Sequence, residues 1–351
     1  MRFEDFFQSY SYLLKNVPCE TVDKNKKYVV MSDLHLGDGG SKDDLHHNKY
    51  LIESILQYYL ENDYTLILNG DIEDLNKFSY VDIYRAWNKL FDILHDFFQK
   101  KRLIKIVGNH DIALYNEDDY PFPLHQGFML KFSGKKIFIL HGHQSSKFFL
   151  KYGYLSEFLV KYLVKPLSIK NRGASGDSKR RYATEKYFYR AARRQGIMTI
   201  IGHTHRPLFE SLSKYDSIRW KLEHLLDEYP RFEKAEQKKM KKTIVYYRQE
   251  LERIVKKKRH KHLSRNLYST NHLLVPCLFN SGCATGKHGI TALEIDADTI
   301  SLVHWGQEHV IKSFTRSEAL AATEIHDKIF RHALKQDCLT GLFLRMELLT
   351  G

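Results

Sequence analysis

Five short stretches carry side chains of the kinds that bind divalent cations. They are SDLH with Asp33 and His35, NGD with Asp71, GNHD with Asn109, His110 and Asp111, HGH with His141 and His143, and GHTH with His203 and His205. This mixture of carboxylate, amide and imidazole donors suits Mn, Fe, Zn or Co, and is too nitrogen-rich for a calcium or an ordinary magnesium site. An aspartate able to bridge, with flanking donors for two ions, is what two-metal hydrolysis needs. Cations about 3.5–4 Å apart can bind a hydroxide between them near neutral pH and spread the charge that develops on a phosphoryl group during in-line attack. A neighbouring histidine can then give the departing oxygen its proton, worth roughly 10²–10⁴ in rate. Any one stretch alone is weak, because 19 histidines produce chance pairs. Five in order, each behind an apolar run, are not accidental.

Those runs are YVVM before Asp33, TLILN before Asp71, LIKIV before Asn109, KIFIL before His141 and MTII before His203. They are β-branched or aliphatic, Gly, Asp, Asn or His follows closely, and the first three lie about forty residues apart. That spacing predicts a strand–helix repeat. Between them NKYLIESILQYYLEN and YRAWNKLFDILHDFFQKK place apolar residues at i, i+3, i+4 and i+7, as helices covering a sheet do. Functional groups of such a sheet collect past the carboxyl ends of its strands. LLVPCLFNSG, GITALEID and TISLVHW read as further strands with a turn at Asp296 to Asp298, and residues 315–351 read as a helical tail.

Two stretches fit the repeat poorly and read as insertions. Residues 145–196 begin with a helix whose Phe148, Tyr152, Leu155, Phe158, Leu159 and Tyr162 share one face, with Lys147, Lys151, Lys161 and Lys165 around the rest; a Gly/Ser loop and a second aromatic helix follow. Residues 213–265 carry a turn at Tyr229-Pro230 and then a basic helix. Within 231–263 stand 13 Lys or Arg against four Glu, so this piece holds +9 of the net +13 and leaves the rest mildly basic. One basic appendage of this kind could meet anionic lipid, nucleic acid or only water. The expected core is therefore 1–144, 197–212 and 266–314.

Cys19, Cys277, Cys283 and Cys338 form neither a disulfide framework nor a zinc knuckle, and Cys277 and Cys283 read as structural. The first twenty residues carry acids and read as an amphipathic helix rather than an export signal. No window reaches the roughly 18 uninterrupted apolar residues of a spanning helix. The expectation is a cytoplasmic protein whose membrane contact, if any, is peripheral. His46 and His47 read as surface residues, and His143 as a group that bonds substrate or a ligand histidine, stands behind them, or is exposed.

In this order the blocks resemble the calcineurin-like metallophosphoesterases, whose pattern is D-x-H, GD, GNH(E/D), H and GH-x-H. The resemblance covers about 28–210 and the NSG strand, and implies an α/β fold: a β-sandwich flanked by helices, with helical insertions. It also implies a metal-dependent phosphoesterase in which Asp33, His35 and His205 hold one metal, Asn109, His141 and His203 a second, and Asp71 bridges both. Manganese is the expected ion, with Fe, Zn or Co as alternatives. His110 would act beside the scissile phosphate, oriented by Asp74. SDLHLG, GHTHRP and the insertion between the HG block and GHTH look most like the UDP-2,3-diacylglucosamine pyrophosphatases, in which that insertion receives acyl chains. Against that group's pattern, His143 stands where aspartate is usual, and the 213–265 insertion is foreign to it. The expected substrate is a phosphorylated, amphiphilic molecule taken from an anionic membrane surface. A phosphodiesterase or nuclease gripping nucleic acid by the lysine helix is the alternative; a non-catalytic scaffold is disfavoured by the complete ligand set.

Overall fold

The apolar runs fold as strands, and their two-residue alternation decides which face each side chain covers. The structure, a computed structural model, describes residues 2–22, 25–145, 178–212, 218–219, 221–223, 225–226, 229–231, 234–257, 274–286, 289–307, 321–326 and 328–350. The strands are β1 (Cys19–Thr21), β2 (Lys27–Met31), β3 (Tyr64–Asn69), β4 (Leu103–Ile106), β5 (Leu124–His125), β6 (Phe128–Phe132), β7 (Lys135–Ile139), β8 (Met198–Ile201), β9 (Leu278–Asn280), β10 (Ile290–Asp296), β11 (Thr299–Gly306), β12 (Ala321–His326) and β13 (Ile329–Cys338). They form two sheets, ordered β12-β13-β11-β10-β2-β3-β4-β5 and β1-β6-β7-β8-β9.

On β2, Tyr28 and Val30 join Ile67, Ile106, Ile139 and Ile200 in a core shared by both sheets. Val29 and Met31 face the other way, with Leu66 and Leu68, into a second core under helices. Those helices are α2 (Lys49–Glu61), α3 (Tyr80–Ala86) and α4 (Asn88–Gln99). Strands covered on both faces are the reason YVVM and TLILN read as continuous apolar runs. On the second sheet lie α1 (Phe3–Asn16) and α5 (Ser178–Gln195), the latter wedged by Phe188 edge-on to Phe6 at 5.0 Å. Strands β2, β3 and β4 are parallel to one another, as are β7, β8 and β9, so their carboxyl ends open at two adjacent edges. Bonds between the sheets close this seam: Asn69 Nδ2 donates to Leu140 O at 3.1 Å, and the Ser32 and Ser281 hydroxyls are 2.8 Å apart.

The α/β sandwich flanked by helices is as expected. Three local expectations change. The segment YRAWNKLFDILHDFFQKK is interrupted at Trp87, whose indole N–H donates to Gly37 O at 3.1 Å and to Asp43 Oδ2 at 2.9 Å. That buried anchor fixes the chain between α3 and α4, with Trp87 at φ −116° and ψ 24°. The described residues of 315–351 are not one helical tail: 321–326 and 329–338 form β12 and β13, and among the described residues only α7 (Leu339–Thr350) is helical. The cause is a bulge, in which Ala333 and Lys335 face Val303 and Leu302 while Leu334 is the extra residue, so the alternation that marks a strand breaks midway. Within the 213–265 segment, α6 (Lys234–Lys257) and the turn Tyr229–Arg231 are as read. Within 145–196, the face from Phe148 to Tyr162 lies outside the described residues. By contrast α5, the second aromatic helix of that insertion, places Phe188, Ala191 and Ala192 in the shared core.

Candidate metal centre

The ends of β2, β3 and β8 turn through backbone that few side chains tolerate. Asp33 (φ 56°), His35 (φ 52°), Asp71 (φ 53°), His203 (φ 62°) and His205 (φ 53°) all lie in the left-handed region, where a non-glycine residue costs about 1–3 kcal/mol and persists only when its surroundings enforce it. The alternate residues of SDLH and GHTH therefore present their side chains from the same kind of kink. Hydrogen bonds enforce it: Asp33 N donates to Gly70 O and His35 N to Asp71 O, both at 3.0 Å, while His203 N donates to Asp33 Oδ2 at 2.9 Å. Glycine is required at Gly108, where a Cβ would stand 2.2 Å from Asp71 Oδ1, and at Gly70, where it would meet the His141 ring at 2.5 Å.

The side chains converge. Asp33, His35 and His205 offer donor atoms within 4.8 Å of one another, as do Asp71, His141 and His203, and a third such group of His35, Asp71 and His110 joins the first two. Asp71 and His35 are each shared between two groups. Asn109 lies between two residues that touch Asp71, since Gly108 abuts its carboxylate and His110 N donates to Asp71 Oδ1 at 2.7 Å. The Asn109 Oδ1 atom is closed off from solvent with no hydrogen-bond partner among the described residues, an arrangement that is unfavourable unless a cation takes the lone pair. His141 Nδ1–H donates to Asn69 O at 2.8 Å, which fixes the tautomer and turns Nε2 toward Asp71 Oδ2 at 3.1 Å. His205 Nε2 stands 3.1 Å from Asp33 Oδ1 and 3.2 Å from His35 Nε2. Oxygen and imidazole donors thus converge in groups that could hold divalent cations.

Burial alone depresses every imidazole here, and the carboxylates decide which of them gain protons. Burial is outweighed at His205 by Asp33, which raises it to about 11, and at His141 by Asp71, which raises it to about 9. His203 is driven down to about 3 by burial and by the charge on His141. Asp33 and Asp71 stay ionised because His205 and His141, respectively, overcome the cost of burial. Positive charge is drawn to the points where the donor groups converge.

His110 stands at the rim with 15% of its side chain exposed, against 1% for Asp74, and its Nδ1 bonds Asp74 Oδ1 at 2.8 Å. Asp74 and Asp71 raise its pKa against burial. Lys77 Nζ in turn holds Asp74 Oδ2 at 3.0 Å. His143 is buried with its ring 5.5 Å from that of His141 and lies outside the three donor groups. His46 and His47 are exposed, as read.

Several residues that hold the centre escape a reading by motif. Lys105 of β4, fully buried, donates to Glu73 Oε2 at 2.7 Å and to Asp111 Oδ2 at 2.8 Å. Asp111 also accepts Ile72 N at 2.8 Å and Gly108 N, tying the loop after β3 to the loop after β4. The lone lysine inside LIKIV is the signal that could have found this cluster. Glu185 of α5 had none, because nothing in a helix sequence marks one acid as buried.

The calcineurin-like phosphoesterase family model matches residues 26–229. Among solved structures, Yfce, a phosphoesterase from E. coli, is similar at 13% identity with a TM-score of 0.32, over 78% of this chain and 91% of that one. No curated protein matches. With more than half of its length under the family model, the chain belongs to the calcineurin-like phosphoesterases, metal-dependent phosphoester hydrolases built around a binuclear centre.

Proposed function

We propose that Asp33, His35 and His205 hold one divalent cation, that Asn109, His141 and His203 hold a second, and that Asp71 contacts both, with manganese the ion used. The observation that supports this is that the group of Asp33, His35 and His205 and the group of Asp71, His141 and His203 are joined by a third, His35, Asp71 and His110, at the ends of strands from both sheets. Two cations bound there would supply an activated water at neutral pH and positive charge for the phosphoryl oxygens. His110 is the general acid. Its Nδ1 is engaged by Asp74, so Nε2 is the atom that passes a proton to the departing oxygen, and Asp74 keeps the ring oriented and favours its protonated form.

The substrate we infer is a nucleotide-linked or other phospholipid, cleaved at a phosphoester or pyrophosphate bond as in UDP-diacylglucosamine. The apolar and lysine faces of 148–163 in the sequence support it, as an amphiphile's tail needs the first and an anionic surface the second. The exposed basic residues Lys241, Lys242 and Arg248 of α6 favour a second reading, hydrolysis of nucleic acid.

The test sets UDP-diacylglucosamine beside single-stranded DNA and p-nitrophenyl phosphate, each with Mn²⁺ and with chelator. The lipid reading predicts the highest kcat/KM on the acylated nucleotide. Preference for DNA, with affinity falling by a log–log slope of about −0.7 per phosphate contact as salt rises, would replace it with the second reading. Asp71→Ala and His203→Ala should be folded and inactive on every substrate.

A further inference from the structure

Helix α5 reaches the metal centre through two successive buried side chains. Thr184 Oγ1 lies 3.1 Å from Ser145 Oγ, at the end of the turn His143–Ser145 that follows His141. Glu185, fully buried, accepts three hydrogen bonds from the GHTHRP loop: from Thr204 Oγ1 at 2.9 Å, from Arg206 Nε at 3.0 Å, and from Arg206 Nη2. Thr204 sits between His203 and His205. Its hydroxyl oxygen also accepts Asn280 Nδ2 at 3.0 Å from the end of β9, so the loop is gripped from the sheet on one side and from the helix on the other.

A carboxylate taken wholly out of water is destabilising by several kcal/mol unless charge and hydrogen bonds offset it. Here the offset comes from a loop that contributes a different histidine to each of two donor groups, His205 with Asp33 and His35, and His203 with Asp71 and His141. Both histidines have positive φ, a conformation that relaxes unless held. The aromatic packing of Phe188 against Phe6 and Tyr10 makes α5 a rigid mount for the grip.

Resting on the two-cation reading above, we propose that Glu185 is a positioning residue for the metal centre. It holds the GHTHRP loop in the strained form that aims His203 and His205 at the two cations, so that the affinity of both depends on a residue of α5 that touches neither.

Manganese binding to the full chain tests this, followed by electron paramagnetic resonance of free Mn²⁺ and by calorimetry, with the metal-free thermal melt as the control for folding. Glu185→Gln keeps the shape but sets an amide N–H₂ against the Arg206 guanidinium. The expected result is a loss of about 10–100-fold in affinity, the size seen when a group orienting a metal ligand is removed, at both sites. His35→Ala, by comparison, should weaken chiefly one. Binding by Glu185→Gln within twofold of wild type at both sites would overturn the role. Should Glu185→Gln give no cooperative melt, Thr204→Val decides, since it removes one hydroxyl and leaves the Glu185–Arg206 pair: a several-fold loss supports the proposal and unchanged binding defeats it. Wild type that binds no Mn²⁺ would instead sink the two-cation reading itself.

Discussion

Five of the residues we assign to the metals hold left-handed backbone, and at about 1–3 kcal/mol each that strain is a large fraction of what a domain has to spare. Their candidacy was legible from D-x-H, NGD and H-x-H behind apolar runs, because donor chemistry and strand ends are written locally. The strain was not, since φ is set by the partners that hold Asp33 N and His203 N, which lie in distant segments. His110 shows the same division: its place beside Asn109 is plain in GNHD and Asp74 as its partner is implied by the resemblance, while Lys77 behind Asp74 has no local signal. Because His110 handles a proton and holds no cation in this account, His110→Gln should lose about 10²–10⁴ in kcat while binding as much Mn²⁺ as wild type. Full activity, or loss of the metal, would remove it from the role of acid.

Among the elements, the strands with apolar runs were readable, as were GITALEID and TISLVHW, whereas β13 and β6 were not. β13 escaped because a bulge at Leu334 breaks its alternation, and β6 because FMLKF is short and flanked by no donor motif. β4 was legible as a strand, yet its lysine carries more than the apolar pattern suggests. Lys105 is the cation between Glu73 and Asp111 with all three side chains buried. Lys105→Met leaves two carboxylates in the interior without it, and removing one member of a buried ionic cluster is destabilising by about 3–5 kcal/mol. Denaturant unfolding of the metal-free chain should show a loss of that size. A change no larger than an exposed pair gives, about 0–1 kcal/mol, would mean the cluster does not hold the two loops together.

For the whole molecule, helices α1 and α2 seal aromatic hydroxyls against the sheets they cover. Tyr10 bonds Thr199 Oγ1 at 2.7 Å, and Tyr59 donates to Glu294 Oε1 at 2.8 Å. Burial raises both pKa values, with the Glu294 carboxylate adding to the effect at Tyr59. A folded pKa above the unfolded value of about 10 means the contribution is fully present below that pH and is lost as pH climbs toward the folded values, because the unfolded chain releases protons first. Stability should therefore fall between pH 10 and 11, and Tyr10→Phe should fall less steeply; an identical slope in the variant would refute the assignment to this hydroxyl. Among the described residues no helix is long and apolar enough to cross a membrane.

The most direct measurement is the metal content of the purified chain after loading with Mn²⁺ and desalting, read beside hydrolysis of bis-p-nitrophenyl phosphate. Wild type should retain about two ions per chain, as a two-metal site requires, and hydrolyse the diester. Asp71→Ala, folded, should retain fewer and hydrolyse none. Undiminished metal and activity in Asp71→Ala would contradict the account at its centre.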